Sequence, residues 1–150
     1  MLWYPWFASE AMAETLPAHD VAYAWIPQLG GRRKVVAGSP NTAWRNPSFR
    51  GYADHLSSAE FADGLARLLD LAARHRTAMM CAELLWWQCH RALISDVLKV
   101  RGIEVLHIAD AKPPVPHPFS AAARIVDGAL SYAPAQGGLF LDGDGGTAER

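Results

Sequence analysis

The sequence predicts an α/β fold: a three-layer, Rossmann-like and mostly parallel sheet with flanking helices and a C-terminal hairpin. One observation is a strand–loop–helix–strand succession, with apolar residues at 77–81, apolar residues at helical spacing over 93–98, and a further strand pattern at 104–108. The other is a capping box at 57–60, which opens an amphipathic helix upstream. Strands that alternate with helices favour a parallel sheet, whose ligands bind at the carboxyl ends of its strands.

Length and composition limit the classes of protein to consider. The 150 residues suit one domain, and 51% hydrophobic with 19% charged residues is ordinary for a globular protein. A net charge of -1 gives no overall attraction to nucleic acid or to an anionic membrane. Two cysteines do not make a disulfide scaffold, and neither a secretory signal nor a membrane-spanning stretch is recognisable. We therefore expect a cytoplasmic protein with reduced thiols.

The first third of the chain reads as a helix, a strand and a long loop. Ser9 is placed to cap a helix over residues 10–16, which ends before Pro17. Residues 21–26 have the apolar pattern of a mostly buried strand. Residues 28–50 carry turn residues throughout, and a loop of this length is usually functional or mobile.

That loop mixes basic and aromatic side chains. The basic residues are Arg32, Arg33, Lys34, Arg45 and Arg50, and the aromatic ones are Trp44, Phe49 and Tyr52. Charge and stacking together would suit a phosphate or a nucleobase. A solvated surface loop with its aromatic residues turned inward is the other interpretation, because runs of charge usually face water.

The elements after this loop have clearer signals. The capping box opens a helix that extends to about Arg74. Gly102 is placed to end the helix that contains residues 93–98, and the proline-rich residues 112–118 predict an extended connector. Asp127-Gly128 between two apolar runs predicts a hairpin, which we prefer to a helix over residues 120–130. We expect one α/β domain over residues 1–141 and a flexible tail over residues 142–150.

The chemistry is concentrated between Cys81 and Arg91. Cys89 and His90 fall at the predicted start of a helix, where unpaired backbone N–H groups and the helix dipole favour an anion. A cysteine in that position has a lowered pKa, and Arg91 adds positive charge. One interpretation is therefore a nucleophilic Cys89, with His90 as its charge partner and Glu83 as an orienting carboxylate.

Three alternatives remain open for the same residues. Cys81, Glu83, Cys89 and His90 are four metal-ligand types, although their spacing is not that of a zinc finger. Cys81 and Cys89 lie at the two ends of one loop and would suit thiol redox chemistry, although the spacing is not thioredoxin-like. Both cysteines would also suit structural positions, as small apolar side chains in the interior.

These residues resemble the signature of the family called domain of unknown function 488. The resemblance rests on Cys81-Ala82-Glu83 followed by Cys89-His90-Arg91, and it extends over roughly residues 5 to 134. Further similar segments are Leu29-Gly30-Gly31, the run from Asn46 to Asp54, Leu106-His107-Ile108, and the hairpin from Ala123 to Tyr132. The resemblance implies an α/β fold with a pocket, and it implies no known reaction.

The chain departs from the family pattern in two ways. The resemblance implies that the chain begins late, after two strands that would lie in the middle of the sheet, so we expect an N-terminally truncated sheet. Edges exposed in this way would favour a homodimer. Gln88 also stands where many members carry a basic residue.

Together the residues favour a small protein with an anion-accepting pocket. Its predicted wall consists of Cys81, Glu83, Cys89, His90 and Arg91, with Arg45, Arg50 and Tyr52 nearby. The hypothesis is an enzyme that acts on a nucleotide-like or other anionic substrate, with Cys89 as nucleophile. The alternatives are a non-catalytic nucleotide or nucleic-acid binding module and a structural metal site. The sequence identifies no cofactor and gives no sign of a membrane partner.

Overall fold

The computed structural model describes residues 7–135, in which four helices are accompanied by two small antiparallel strand pairs. The helices are α1 (Ser9–Thr15), α2 (Pro47–His55), α3 (Ala59–Arg74) and α4 (Arg91–Val100). The strands are β1 (Leu106–His107), β2 (Val115–Pro116), β3 (Arg124–Val126) and β4 (Ala129–Ser131). Short 3₁₀ turns lie at Pro17–His19, Pro27–Leu29 and Trp86–Gln88. The chain therefore has the expected α and β content, and the predicted tail over 142–150 lies outside the described residues.

Local capping explains where the helices begin. The Oγ atom of Ser58 accepts a hydrogen bond from the backbone N–H of Phe61 at 3.0 Å, so the helix begins within one residue of the predicted start. The capping box predicted over 57–60 does not form, because Ser58 rather than Ser57 is the cap and the carboxylate of Glu60 pairs with Arg33. Asn46 caps α2 in the same way, through a 2.8 Å hydrogen bond from the N–H of Ser48. The prediction of irregular structure as far as residue 50 is wrong from Pro47 onward, because Asn46-Pro47 supplies a cap followed by a favourable first helical residue.

The core lies between α2, α3 and α4. Tyr52, Leu65 and Leu93 are at most 1% exposed, and Leu29 joins them from the turn at 27–29. The loop from Gly31 to Val36 crosses α2 at Gly51, where an added Cβ would overlap the carbonyl oxygen of Arg33. This close approach holds the loop against the helix that carries Tyr52.

The predicted strands at 21–26 and 77–81 are wrong, since neither segment forms a ladder. Their side chains are correspondingly exposed: Trp25 by 62% and Met80 by 57%. A strand needs a neighbouring chain for its backbone N–H and C=O groups, and over residues 7–135 these segments have none. The part of the chain that the structure describes therefore contains no Rossmann-like parallel sheet.

Within residues 7–135, strand pairing occurs only where the chain returns on itself. β1 pairs antiparallel with β2, so the proline-rich connector contributes a short strand as well as extended chain. β3 and β4 form the predicted hairpin, in which Val126 pairs with Ala129. Asp127 and Gly128 have φ values of 51° and 77°, the left-handed geometry of a tight hairpin turn.

The helices of the described region are too short or too polar to cross a lipid bilayer. The longest of them, α3, has 16 residues and carries charged side chains along its exposed face.

Candidate functional site

The two cysteines and His90 lie together at the start of α4. Cys81 belongs to the irregular segment that follows α3, whereas Cys89 and His90 directly precede α4. The turn at Trp86–Gln88 brings Cys89 back toward Cys81. The backbone N–H of Cys89 donates to the carbonyl of Trp86 at 3.4 Å. One donor atom from each of Cys81, Cys89 and His90 lies within 4.8 Å of the other two. We call these three residues the thiol cluster.

Arg91 holds the loop of the thiol cluster against α4. Its Nε atom donates to Cys89 Sγ at 2.9 Å, and its backbone N–H donates to the same sulfur at 3.3 Å. Its Nη2 atom donates to the carbonyl oxygens of Glu83 and Leu84, at 2.5 and 3.4 Å. A guanidinium charge is therefore fixed beside the Cys89 sulfur.

The protonation states of the two thiols are linked. The hydrogen bond with Cys89 lowers the pKa of Cys81 to about 6, and the backbone N–H of Glu83 and the charge of Arg91 act in the same direction against burial. That hydrogen bond, together with burial, raises the pKa of Cys89. Arg91 contacts the Cys89 sulfur, so the negative charge that remains after the first deprotonation is shared by the two sulfurs. Cys89 is 5% exposed, whereas Cys81 is half-buried.

His90 is held neutral in a tight position. Its ring lies 5.1 Å from the ring of Tyr52, and a Cβ on Gly31 would come within 2.9 Å of its Nδ1 atom. Burial, followed by the charges of Arg91 and Arg33, lowers the pKa of His90. A neutral imidazole at pH 7 is a possible proton acceptor or metal ligand.

The other residues predicted for the pocket are placed in different ways. Tyr52 contacts His90 and donates its hydroxyl proton to the carbonyl of Leu29 at 2.7 Å. Glu83 contacts Arg91 through its carbonyl oxygen, and its exposed carboxylate raises the pKa of Cys81. Arg50 donates to the carbonyls of Trp44 and Arg45, and within residues 7–135 neither Arg45 nor Arg50 bonds to the thiol cluster.

Arg45 instead borders a groove of about 560 Å³ that contains none of the thiol cluster. Trp44, Phe49 and Arg124 line the same groove. The basic and aromatic residues of the loop thus lie partly at this groove and partly at the thiol cluster, through Tyr52. The structure brings together Cys81, Cys89, His90, Arg91 and Tyr52, and places the two arginines elsewhere.

A second polar cluster, which the sequence interpretation missed, surrounds Asp96 in the middle of α4. The Oδ1 atom of Asp96 lies 2.7 Å from His117 Nε2 and 2.9 Å from the backbone nitrogen of Ser120. Its Oδ2 atom accepts from the hydroxyl of Tyr132 at 2.7 Å. His117 Nδ1 lies 2.7 Å from His107 Nε2. We call Asp96, His117 and His107 the histidine chain.

Burial affects the pKa values of the groups in and around the histidine chain. Asp96 is 0% exposed and His117 is 2% exposed. Burial alone would raise the pKa of Asp96, but hydrogen bonds from His117, Tyr132 and Ser120 outweigh it and lower that pKa. Burial raises the pKa of Tyr132, and the neighbouring carboxylate of Asp96 raises it further. Asp96 is therefore a buried carboxylate whose two oxygens are both occupied.

One signal in the sequence points to this cluster. Asp96 lies among the apolar residues of α4, between Ile94 and Val97, and a carboxylate on a buried helix face requires a polar partner. Its partners are 21 to 36 residues away along the chain, so spacing alone does not identify them.

Trp86 connects the histidine chain with the thiol cluster. The rings of Trp86 and His107 are stacked, with centroids 4.4 Å apart and an interplanar angle of 6°. Burial lowers the pKa of His107 to about 4, and the charges of His117 and Arg91 lower it as well. The charge of Arg91 therefore lowers the pKa of His107, and its guanidinium also contacts the Cys89 sulfur.

The thiol cluster also has the donor types of a metal site. Two sulfurs and a neutral imidazole are ligands that Zn²⁺ accepts, and three protein ligands leave a fourth position open. The sequence interpretation included Glu83 among the ligands, but its carboxylate is not part of the group that the structure brings together.

Comparison with known proteins yields one match. No curated protein and no solved structure matches the chain. The family model described as "Domain of unknown function DUF488" matches residues 2–98, which is more than half of the chain and includes the whole thiol cluster. The resemblance seen in the Cys81–Glu83 and Cys89–Arg91 motifs is thereby confirmed, and the chain belongs to the DUF488 family.

Proposed function

We propose that this protein is a thiol-dependent enzyme in which the Cys81–Cys89 pair attacks an electrophilic centre of a small anionic substrate. The observation that carries the proposal is the geometry of the pair. The two sulfurs lie within 4.8 Å of each other, and two N–H groups of Arg91 donate to one of them. Such donors stabilise a thiolate, which is the nucleophilic form of cysteine.

Cys81 is better suited than Cys89 to be the attacking sulfur. Cys89 is 5% exposed, and its sulfur already accepts both hydrogen bonds from Arg91. Cys81 is more accessible, and its pKa of about 6 leaves it mostly ionised at pH 7. We therefore move the nucleophile from Cys89, where the sequence hypothesis placed it, to Cys81, and assign to Cys89 the sharing of the proton.

An anionic substrate is supported by the charge of Arg91. Among residues 7–135, Arg91 is held by two carbonyl oxygens and a sulfur, and it forms no ion pair with a carboxylate. The shared thiolate is then its nearest counter-charge. Arg33, the other cation that acts on His90, is paired with Glu60 at 3.0 Å. Arg91 is thus the cation best placed to attract an anion to the pair.

Alkylation of the thiols tests both parts of the proposal. Iodoacetamide and iodoacetate react by the same chemistry but differ in charge. On the wild-type chain we expect fast labelling of Cys81 with a midpoint near pH 6. The ratio of iodoacetate to iodoacetamide rates should exceed that of the same chain unfolded in urea.

The single variants Cys81→Ser and Cys89→Ala complete this test. Cys81→Ser should abolish the fast phase, and Cys89→Ala should raise its midpoint because the hydrogen bond to Cys81 is lost. Slow labelling of both thiols, with an ordinary pH midpoint of about 8.5, would contradict the proposal. An unchanged iodoacetate preference after unfolding would contradict the anionic substrate alone.

A zinc site is the second candidate, because three ligand atoms already lie within 4.8 Å of one another. Elemental analysis of the purified protein distinguishes the two functions. About one zinc per chain, together with thiols that become reactive only after chelation, would favour the metal site. The nucleotide or nucleic-acid binding module has no separate observation in its favour and stays a prediction.

A further inference from the structure

The histidine chain lies beside the thiol cluster and has no role in the proposed attack. We infer that Asp96, His117 and His107 form a proton relay, with His107 as the general base that activates water in the second half of the reaction. This inference rests on the proposed function, because it supplies the step that frees the thiol.

The donor and acceptor roles within the histidine chain determine which nitrogen atom can accept a proton. Asp96 accepts from the N–H of Ser120 and the O–H of Tyr132, and its lowered pKa keeps it ionised. His117 must therefore donate to it through Nε2–H. When His117 is neutral its Nδ1 is an acceptor, so His107 donates through Nε2–H and keeps a lone pair on Nδ1.

The relay explains how His107 accepts a proton in spite of its low pKa. A positive charge on His107 is disfavoured by burial, by His117 and by Arg91. When His107 Nδ1 takes a proton, the proton on its Nε2 moves to His117 Nδ1. The charge then resides on His117, against the carboxylate of Asp96. Lys99 donates to the carbonyl oxygen of His117 at 2.7 Å and lies over the ring of Phe119. Within residues 7–135 it forms no ion pair with Asp96, so it does not compete for the carboxylate.

The position of His107 connects it to the thiols. Its ring is stacked on Trp86, whose carbonyl accepts the backbone N–H of Cys89. Arg91 contacts Cys89 Sγ at 2.9 Å and acts electrostatically on His107. Trp86 thus links the ring of His107 to the loop that carries Cys89.

The step balances with water as the second reactant. Attack by the Cys81 thiolate on a carbonyl carbon forms a C–S bond, and the leaving group departs with its electron pair. Water then attacks the carbonyl carbon of the thioester and gives its proton to His107 Nδ1. The C–S bond breaks and returns its electrons to the Cys81 sulfur. The substrate class that follows is an activated acyl compound with a negative charge.

Burst kinetics with p-nitrophenyl acetate separate the two half-reactions. The burst of p-nitrophenol reports acylation of Cys81, and the later steady rate reports hydrolysis of the thioester. In His107→Gln, an amide can still donate to His117 but cannot take a proton. We expect an unchanged burst and a steady rate lowered about tenfold or more. His75→Gln, at an exposed helix end, is the matched control and should change neither phase.

Three further readouts distinguish a base from a merely structural residue. In the wild type the steady rate should level off with pH and be slower in D₂O, whereas His107→Gln should show only a linear dependence on hydroxide. Nitrogen chemical shifts of the wild-type histidines test the relay without any variant: at pH 7 we expect protonated Nε2 and unprotonated Nδ1 on His107. The opposite tautomer would overturn the relay.

The outcomes distinguish this inference from the proposed function. A normal burst with an unchanged steady rate in His107→Gln overturns the relay and leaves the thiol enzyme standing. A wild-type burst no larger than that of Cys81→Ser overturns the proposed function, and the relay as its second step falls with it.

Discussion

Helix α4 carries two polar clusters that differ in how completely their atoms are bonded. In its middle, both oxygens of Asp96 are occupied, and the partners Tyr132 and His117 are 3% and 2% exposed. At its start, Cys81 is half-buried and the protonation states of the two thiols are linked. The same helix thus presents a closed network and an open one within two turns.

The difference indicates that one cluster on this helix serves stability and the other serves reactivity. A buried carboxylate is tolerated when donors reach both of its oxygens, and such a network contributes to the folded state. The thiol cluster has fewer fixed partners and lies in a segment without regular structure, so its atoms remain available for chemistry. Substitutions should therefore affect stability at Asp96 and reactivity at the thiols.

The largest effect is expected at Asp96. Asp96→Ala leaves His117, Tyr132 and the N–H of Ser120 without their acceptor, and the free energy of unfolding should fall by about 3–5 kcal/mol. Urea denaturation measures this. Asp70→Ala, which breaks the exposed ion pair with Arg74, is the control and should cost about 0.5 kcal/mol or less. Equal losses of unfolding free energy in the two variants would contradict a stabilising role for the Asp96 network.

A smaller effect, on reactivity alone, is expected at Arg91. Arg91→Gln removes a positive charge and a hydrogen bond from the thiol pair, so the pH midpoint of iodoacetamide labelling should rise by about one unit or more. Arg101→Gln, exposed just beyond α4, should leave the midpoint unchanged. If Arg91→Gln lowered the urea midpoint but not the labelling rate, the guanidinium would be a structural clamp.

Acid should act on the histidine chain through His107. Its pKa falls from the ordinary 6.5 to about 4 on folding, so the unfolded chain binds more protons between these values. The stability that His107 contributes is therefore complete above about pH 6.5 and is lost as the pH falls toward 4. His90 titrates in the same direction, so the difference between wild type and His107→Gln isolates the contribution. Parallel stability curves for the two chains would contradict it.

The smallest effect is expected at Glu83. Its carboxylate raises the pKa of Cys81, so Glu83→Gln should lower the labelling midpoint slightly and change the rate near pH 6 by about twofold or less. Glu104→Gln, an exposed carboxylate beyond α4, is the matched control. A tenfold loss of labelling in Glu83→Gln would instead restore the orienting carboxylate of the sequence hypothesis.

Features set by neighbours along the chain were predictable from the sequence. Ser58 caps α3, and Asp127-Gly128 turns the hairpin, because each depends on a few adjacent residues. The grouping of Cys81 with Cys89 was also predictable, since one short loop separates them.

Features set by distant partners were not predictable in this way. Residues 21–26 have a strand pattern, but a pattern does not supply a neighbouring strand. Asp96 meets His117 and Tyr132 only after α4 packs against the C-terminal segments, and no local rule places them together. Glu83 was assigned a role for its carboxylate, whereas the fold uses its backbone.

The unpaired extended segments have a consequence for the handling of this protein. Trp25, Met80 and Ile108 are 57 to 68% exposed on chain that forms no ladder of its own. Apolar side chains on open backbone edges are templates for intermolecular pairing. Colloidal behaviour should therefore depend on concentration: dilute samples would remain clear, whereas concentrated ones would scatter light and be protected by additives that cover apolar surface.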